Sequence, residues 1–150
     1  MSKSTCLTIL TVLFLVTGSA GAGEKTIMHC FAWTPVQDAS ASDWEAFYKA
    51  SDALPKKIPG IVRVWYGKLD SPLSQAQLGN IDNGTFQKYR SGESVTIPVT
   101  RVTREYGMCM EMKNAAVLKA YDPDPYHKVW TDAYSKVRVE GTTTFNILGQ

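Results

Sequence analysis

The sequence predicts an α+β protein, built as a ferredoxin-like βαββαβ protomer with a four-stranded antiparallel-type sheet. Two observations support this fold class. Segments rich in β-branched and aromatic residues alternate with two amphipathic helical segments, in the order strand, helix, strand, strand, helix, strand. The chain is also of the length of one ordinary domain. A sheet of this kind carries helices on one face only, so we expect a second copy to cover the other face in a homodimer.

Residues 1–22 have the features of a signal peptide. Lys3 gives a positive start, residues 7–16 form an apolar run, and residues 19–22 are small, as a signal peptidase requires. The run is shorter than the roughly 20 residues of a transmembrane helix. We therefore expect a protein exported to a periplasm or secreted, with its domain in residues 26–150 and no membrane attachment after cleavage.

Charge and cysteine content exclude several classes of protein. The formal net charge is +2 and falls by one unit when Lys3 is removed, so neither a nucleic-acid partner nor a polybasic membrane patch is expected. Beyond the signal segment the chain has two histidines and two well-separated cysteines, Cys30 and Cys109. These are too few convergent ligands to indicate a metal site, and no cofactor is expected.

The first half of the domain predicts a strand, a helix and a second strand. Residues 26–33 alternate, with His29, Phe31 and Trp33 on one face. Residues 42–45 have the form of a capping box, and the helix that follows is expected to end at Leu54-Pro55. After a turn at Ile58-Pro59-Gly60, residues 61–68 are β-branched and aromatic enough for the second strand.

Residues 69–102 change in composition to Ser, Gly, Asn, Gln and Thr and show little sustained periodicity. The pattern predicts a long connection. A connection of this length is uncommon in a compact domain unless it binds something or is mobile. It is interpreted either as a lid or as a disordered insertion at a hairpin.

The second half of the domain predicts a strand, a short helix, a longer helix and a last strand. Strand character resumes over residues 103–113, and a short helix follows over residues 114–121. Asp124 as the cap and Pro125 at the first helical position predict a helix that runs to about Val137. Residues 142–148 form the expected last strand.

The alternation places Cys30 and Cys109 on the face of the sheet opposite the helices. The first and third strands are expected to be parallel neighbours there, so the two thiols come close at the surface that faces the second copy. A disulfide between them is possible, and the register of the two strands decides whether it forms.

Three segments resemble the stress-responsive dimeric α/β-barrel (Dabb) family. They are Met28-His29 in the first strand, residues 54–61 between helix and second strand, and residues 121–127 before the second helix. The resemblance implies a dimeric α/β barrel with a cavity between sheet and helices in each subunit. A plant polyketide cyclase of this family uses a tyrosine and a histidine at the spacing of Tyr121 and His127, and its pocket has a histidine matching His29.

Tyr121 and His127 are the candidate catalytic residues. His127 is expected in the first helical turn, where the positive end of the helix macrodipole disfavours imidazolium and keeps the ring neutral. A neutral ring can take a proton from a carbon whose neighbouring carbonyl accepts a hydrogen bond from Tyr121. In the alternative interpretation, His127 bonds to the backbone at the helix start and Tyr121 is a core tyrosine with a satisfied hydroxyl.

Three functions remain open from the sequence. The first is an exported homodimer that binds a small apolar or aromatic molecule between sheet and helices. The second is a cofactor-independent cyclase, isomerase or lyase in which His127 is the general base and Tyr121 the donor to a carbonyl. The third is a haem-degrading or quinol-forming monooxygenase. The candidate ligand-binding residues are His29, Phe31, Trp33, Trp44, Phe47, Met108, Met110 and Trp130.

Overall fold

The computed structural model describes residues 25–149, so the predicted signal peptide lies outside the described residues. The order strand, helix, strand, strand, helix, strand is confirmed, with one further helix in each of two connections. Within residues 25–149, no helix is both long and apolar enough to cross a membrane. The elements are β1 Ile27–Pro35, α1 Ala41–Lys57, β2 Ile61–Leu78, α2 Asn83–Arg90, β3 Val99–Met112, α3 Ala115–Tyr121, α4 Pro125–Val137 and β4 Arg138–Leu148.

The four strands form one sheet in the order β2-β3-β1-β4, and each neighbouring pair is antiparallel. The predicted α+β class and ferredoxin-like protomer are confirmed. The prediction that the first and third strands run parallel is wrong. β2 returns parallel to β1 after the α1 crossover, and β3 folds back from β2 to lie between them, so β3 has to run against both.

Helix α1 begins two residues earlier than the predicted capping box and ends later. Ser40 is the N-cap, and the box is closed by Asp43 rather than by Glu45. Pro55 lies inside the helix, in its last turn, where it removes only the hydrogen bond that its own nitrogen would have donated. The Ile58 N–H bonds to the Leu54 carbonyl at 2.9 Å and closes that turn.

The predicted long connection over residues 69–102 is wrong, because most of it is regular structure. After a bulge in β2, the pairing of β2 with β3 continues from Leu73 opposite Arg104 to Leu78 opposite Val99, and α2 lies beyond. We call residues 69–102 the hairpin arm. Its strands are exposed on both faces, so backbone pairing holds them without the alternation of apolar residues that reveals a half-buried strand.

Helices α1 and α4 pack on one face of the sheet over a core of aromatic rings. Trp33 and Phe47 are fully buried, and their ring centroids lie 5.6 Å apart in an edge-on contact. Tyr134 of α4 meets Trp33 at 5.0 Å. The Trp130 Nε1–H donates to the Ser51 hydroxyl at 3.0 Å and joins α4 to α1. Ring contacts of this geometry stabilise the core beyond the area that they bury.

The other face of the sheet, which we call the open face, carries no helix. One row of side chains crosses all four strands there, since the register pairs Trp65 with Cys109, Cys109 with Cys30, and Cys30 with Phe145. Cys30 and Cys109 form a disulfide, with Cα atoms 4.1 Å apart. Trp65 and Phe145 are 45% and 47% exposed, and a groove of about 300 Å³ lies over the row.

Candidate functional site

The turn between α3 and α4 positions the two candidate catalytic residues. Tyr121 is the last residue of α3, and its carbonyl accepts from the Asp124 N–H at 3.1 Å. The Asp124 side chain accepts from the Tyr126 N–H at 2.8 Å, so the predicted cap is confirmed. His127 lies in the first turn of α4, and its backbone N–H donates a hydrogen bond to the Asp124 carbonyl. The turn brings the rings of Tyr121 and His127 to a centroid distance of 4.2 Å.

The tautomer of His127 follows from its backbone contact. Its Nδ1 lies 3.0 Å from the Asp122 carbonyl oxygen. A carbonyl oxygen only accepts, so Nδ1 carries the proton in this bond, and a neutral ring then has its lone pair on Nε2. The ring also stacks on Trp130, with centroids 5.8 Å apart. The backbone contact that the alternative interpretation expects is therefore present, and it orients the ring with its lone pair on Nε2.

The hydroxyl of Tyr121 is buried without a hydrogen-bond partner among the described residues. The residue as a whole is only 2% exposed. Burial, together with the negative charge of Asp122, raises the pKa of the Tyr121 phenol above its usual range. The group consequently stays protonated at any physiological pH. It is a donor with no acceptor among residues 25–149, a costly arrangement that a ligand carbonyl would relieve.

His29 of β1 lies beside Tyr121 and His127, on the sheet side of the same site. It pairs with Asn146 of β4 in the strand register, and its Nδ1 lies 2.7 Å from the Asn146 side-chain oxygen. Its ring lies 6.1 Å from that of Tyr121 and 5.7 Å from that of Phe31. Since the amide oxygen accepts, His29 donates through Nδ1 and, like His127, presents its Nε2 as an acceptor.

These side chains surround a cavity of about 150 Å³, which we call the histidine cleft. Burial raises the pKa of Tyr134 in its wall to about 12. The Tyr134 hydroxyl is buried without a hydrogen-bond partner among the described residues, although the Thr142 side chain lies near enough to lower that pKa. The lining residues are His29, Phe31, Tyr121, Asp122, His127, Trp130, Tyr134, Thr142 and Thr144.

The other candidate ligand-binding residues do not line this cleft. Trp33, Phe47, Met108 and Met110 are buried in the core, where they pack against one another, and Met108 also borders the open-face groove. Trp44 is half-buried and lies on Tyr106 with centroids 4.8 Å apart. The expected apolar chamber between sheet and helices is thus occupied by the very side chains expected to form its walls, as the close packing of protein interiors favours.

Sequence reasoning missed several groups of the site. Thr142 and Thr144 alternate along β4, and Tyr134 lies on the apolar stripe of α4, so a search for polar atoms facing the helices would have found all three. Asn146 is visible only once the β1–β4 register is known. The Asp122 carbonyl carries no signal in the sequence.

The site contains acid–base groups rather than a cluster of metal ligands. Within residues 25–149, no three His, Cys, Asp or Glu side chains come together in a way that could hold a metal ion. Cys30 and Cys109 lie on the open face, on the other side of the sheet. What converges in the cleft is a protonated phenol and two imidazole nitrogens with lone pairs. Such a set can donate to a carbonyl oxygen and remove a proton beside it.

No family model matches the chain, and no curated protein matches it. Its fold is similar to that of a Dabb family protein with a ferredoxin-like fold from Mesorhizobium loti, at 14% identity and a TM-score of 0.53, over 85% of this chain and 99% of that one. A hydroxynitrile lyase from Passiflora edulis is similar at 10% identity and a TM-score of 0.53, over 84% and 94%.

A dimeric protein of unknown function with a ferredoxin-like fold from Bacteroides fragilis is similar at 17% identity and a TM-score of 0.50, over 81% of this chain and 94% of that one. Likeness at these identities is a likeness of fold. It agrees with the fold that the Dabb resemblance implies.

Replacing Tyr121 by Phe tests whether its hydroxyl is unpartnered. Tyr121→Phe removes a buried donor that has no acceptor, so we expect the free energy of unfolding to stay level or rise by about 1 kcal/mol. Tyr66→Phe is the matched control, because the Tyr66 hydroxyl donates to Asp52. This control should lose about 1 kcal/mol. Urea unfolding followed by tryptophan fluorescence measures both. A marked loss of stability in Tyr121→Phe would contradict the assignment.

Proposed function

We propose that this chain binds a small carbonyl compound in the histidine cleft and catalyses proton transfer at the carbon beside the carbonyl, without a cofactor. The observation that carries the proposal is the pairing of an unsatisfied Tyr121 hydroxyl with an imidazole whose Nδ1 is fixed by a backbone carbonyl. The reaction class covers enolisation, isomerisation and the aldol or lyase reactions that pass through an enolate.

In the proposed reaction, the substrate carbonyl oxygen accepts a hydrogen bond from Tyr121. His127 Nε2 takes the proton from the adjacent carbon, the electron pair of the broken C–H bond forms a C=C bond to the carbonyl carbon, and the π pair of the carbonyl moves to its oxygen. The resulting enolate is stabilised by the phenol, whose raised pKa keeps its proton on the tyrosine. His127 then returns the proton to the product. His29 positions the ligand through its own Nε2.

The size and polarity of the cleft favour this function over the binding of a larger apolar molecule. A cavity of about 150 Å³ admits only a few heavy atoms, and residues with histidine, tyrosine, aspartate or threonine side chains make up most of its lining. The large aromatic side chains that were expected to receive an apolar ligand are engaged with one another in the core. The similar fold of a hydroxynitrile lyase agrees with lyase chemistry on this framework.

We further propose that two copies pair through the open face. Trp65 and Phe145 leave apolar surface in water there, beside a groove of about 300 Å³. A contiguous apolar patch of this kind is typical of an interface. The B. fragilis protein of the same fold is described as dimeric. In such a pair, the Cys30–Cys109 disulfide of each copy would be covered by the open face of the other copy.

Export of the chain is also proposed. The N-terminal segment has the pattern of a signal peptide. The disulfide between Cys30 and Cys109 gives independent support, since structural disulfides persist in oxidising compartments and are rare in the cytosol.

Hydrogen–deuterium exchange into butanone tests the proton transfer. In D₂O, the purified protein should accelerate exchange at the carbons beside the carbonyl, followed by NMR. His127→Gln should lower the rate about 100-fold or more, because it removes the base, and Tyr121→Phe should lower it about 10-fold or more. Lys128→Gln, an exposed neighbour on α4, is the control and should leave the rate unchanged. A wild-type rate equal to that of buffer would contradict catalysis.

A charge on the open face should separate the two copies. Trp65→Asp and Phe145→Asp each place a carboxylate in the proposed interface, so both should sediment as monomers at concentrations where the wild type is a dimer. Val129→Asp is the control, because Val129 is 54% exposed on the helical side. Analytical ultracentrifugation measures all three variants. A wild type that is monomeric at every concentration would exclude the dimer.

The mature form of the chain should begin at Gly23 and contain no free thiol. Full-length protein expressed with an export pathway and recovered from the exported fraction is analysed by mass spectrometry for its N-terminus. Thiols are titrated after unfolding without reductant, and after unfolding with reductant as the control. Two thiols in the unreduced sample would disprove the disulfide, and an intact Met1 would disprove cleavage.

A further inference from the structure

Arg104 is a buried arginine with no acidic partner. The residue belongs to β3 and is 6% exposed. Its Nε donates to the Thr143 hydroxyl at 3.4 Å and its Nη1 to the Thr34 hydroxyl at 3.2 Å. The ion pairs among residues 25–149 do not include it. Hydrogen bonds to two neutral hydroxyls do not cancel its charge, and a buried charge is costly without an opposite one beside it.

The two hydroxyls fix the position of the guanidinium but cannot serve a ligand as donors. The Thr34 hydroxyl gives its proton to the Thr103 carbonyl at 2.6 Å. The Thr143 hydroxyl gives its proton to the side-chain oxygen of Gln75. Because a hydroxyl has one proton, each of the two can only accept from Arg104. The guanidinium is therefore held between strands, since Thr34 lies in β1 and Thr143 in β4.

The third nitrogen of the guanidinium, Nη2, lies beside open space. It makes no hydrogen bond with any residue of the range 25–149. Gly141 has a φ of +91°, and a Cβ at that position would lie 3.5 Å from Nη2, so a larger residue there would crowd the nitrogen. A pocket of about 360 Å³, which we call the arginine pocket, borders both Arg104 and Gly141. Of the described residues that line it, Arg104 alone is charged.

We propose that the arginine pocket binds a short aliphatic monocarboxylate, with its carboxylate on Arg104. A guanidinium matches a carboxylate in geometry, and a single carboxylate cancels its charge, whereas a dianion would leave an excess negative charge. Gln75 can donate to the same ligand through its Nε2, because its oxygen accepts from Thr143. Leu78 and Val102 also border the pocket and can receive the aliphatic chain.

Such a ligand would join the hairpin arm to the rest of the domain. Gln75, Leu78 and Val102 belong to the arm, whereas Arg104 is held by the central strands. The β2 strand of the arm is exposed along its length. Binding should therefore slow amide hydrogen exchange over residues 73–78, because the arm separates from the sheet less often when a ligand holds it there.

Four probes test the chemistry of the ligand. Butyrate carries a carboxylate and a short chain, acetate the carboxylate with only a methyl group, butyramide the chain without a charge, and sulfate a double charge without a chain. Isothermal titration calorimetry on the full mature protein in Tris buffer measures each. We expect butyrate to bind more tightly than acetate, and about tenfold or more tightly than butyramide and sulfate. An affinity for any of the other three that equals that for butyrate would contradict the proposed ligand.

A carboxylate built into the pocket tests whether Arg104 lacks a counter-ion. The Gln75 oxygen and Arg104 Nε meet at the same Thr143 hydroxyl, so Gln75→Glu supplies the carboxylate from within the protein. It should raise the melting temperature by about 4 °C and weaken butyrate binding about tenfold or more. Gln87→Glu is the matched control, because it adds the same charge at an exposed position of α2 and should change neither. A Gln75→Glu protein that binds butyrate as the wild type does would contradict the site.

Removal of the arginine completes the test. Arg104→Gln should abolish both butyrate binding and the slower exchange over residues 73–78, whereas Arg101→Gln, the control at an exposed arginine of the arm, should retain both. If Arg104→Gln does not fold, Gln75→Glu carries the test. His127→Gln should bind butyrate as the wild type does, because the site does not depend on the proposed function. Butyrate binding that is absent in the wild type, or unchanged in a folded Arg104→Gln protein, would overturn the site.

Discussion

Much of this structure depends on the alternation of side chains along β1. The strand lies second from one edge of the sheet and pairs with β3 on one side and β4 on the other. Its odd-numbered residues His29, Phe31 and Trp33 face the helices, and Cys30 between them faces the open side. A shift of one residue would exchange the two sets. The disulfide to Cys109 fixes β1 against β3, so a covalent bond on one face maintains the position of His29 on the other.

The histidine cleft combines this strand with a turn whose geometry is set locally. Asp124 caps α4 while the Asp122 carbonyl holds His127 Nδ1, so two aspartates of one short turn orient the helix and the imidazole together. The packed core beside the cleft also supports the wall of the cleft. Trp130 and Tyr134 stack on each other with ring centroids 4.8 Å apart, and side chains already held by such packing lose less entropy when a ligand binds beside them.

The features that the sequence predicts are those that depend on near neighbours in the chain. The periodicity of β1 and of α4 and the cap at Asp124 involve only residues close together in the sequence. They can therefore be predicted without knowing how the rest of the chain packs. The proximity of Tyr121 and His127 also follows from one short turn. The strands of the hairpin arm cannot be predicted from periodicity, because polar strands exposed on both faces have no alternation of apolar residues. Whether Trp33 and Phe47 line a void or fill it depends on volumes contributed by three separate elements, and no segment alone contains that information.

The hairpin arm extends past the last residue of β1, yet it returns to the domain where Gln75 meets the Thr143 hydroxyl. Rungs can be added to or removed from a two-stranded ladder of this kind without disturbing the central strands, so its length and polarity are open to evolutionary change. The imidazoles and the phenol belong to other parts of the chain. The polar wall that the arm presents to the domain can therefore change between descendants of this protein while the histidine cleft is inherited unaltered.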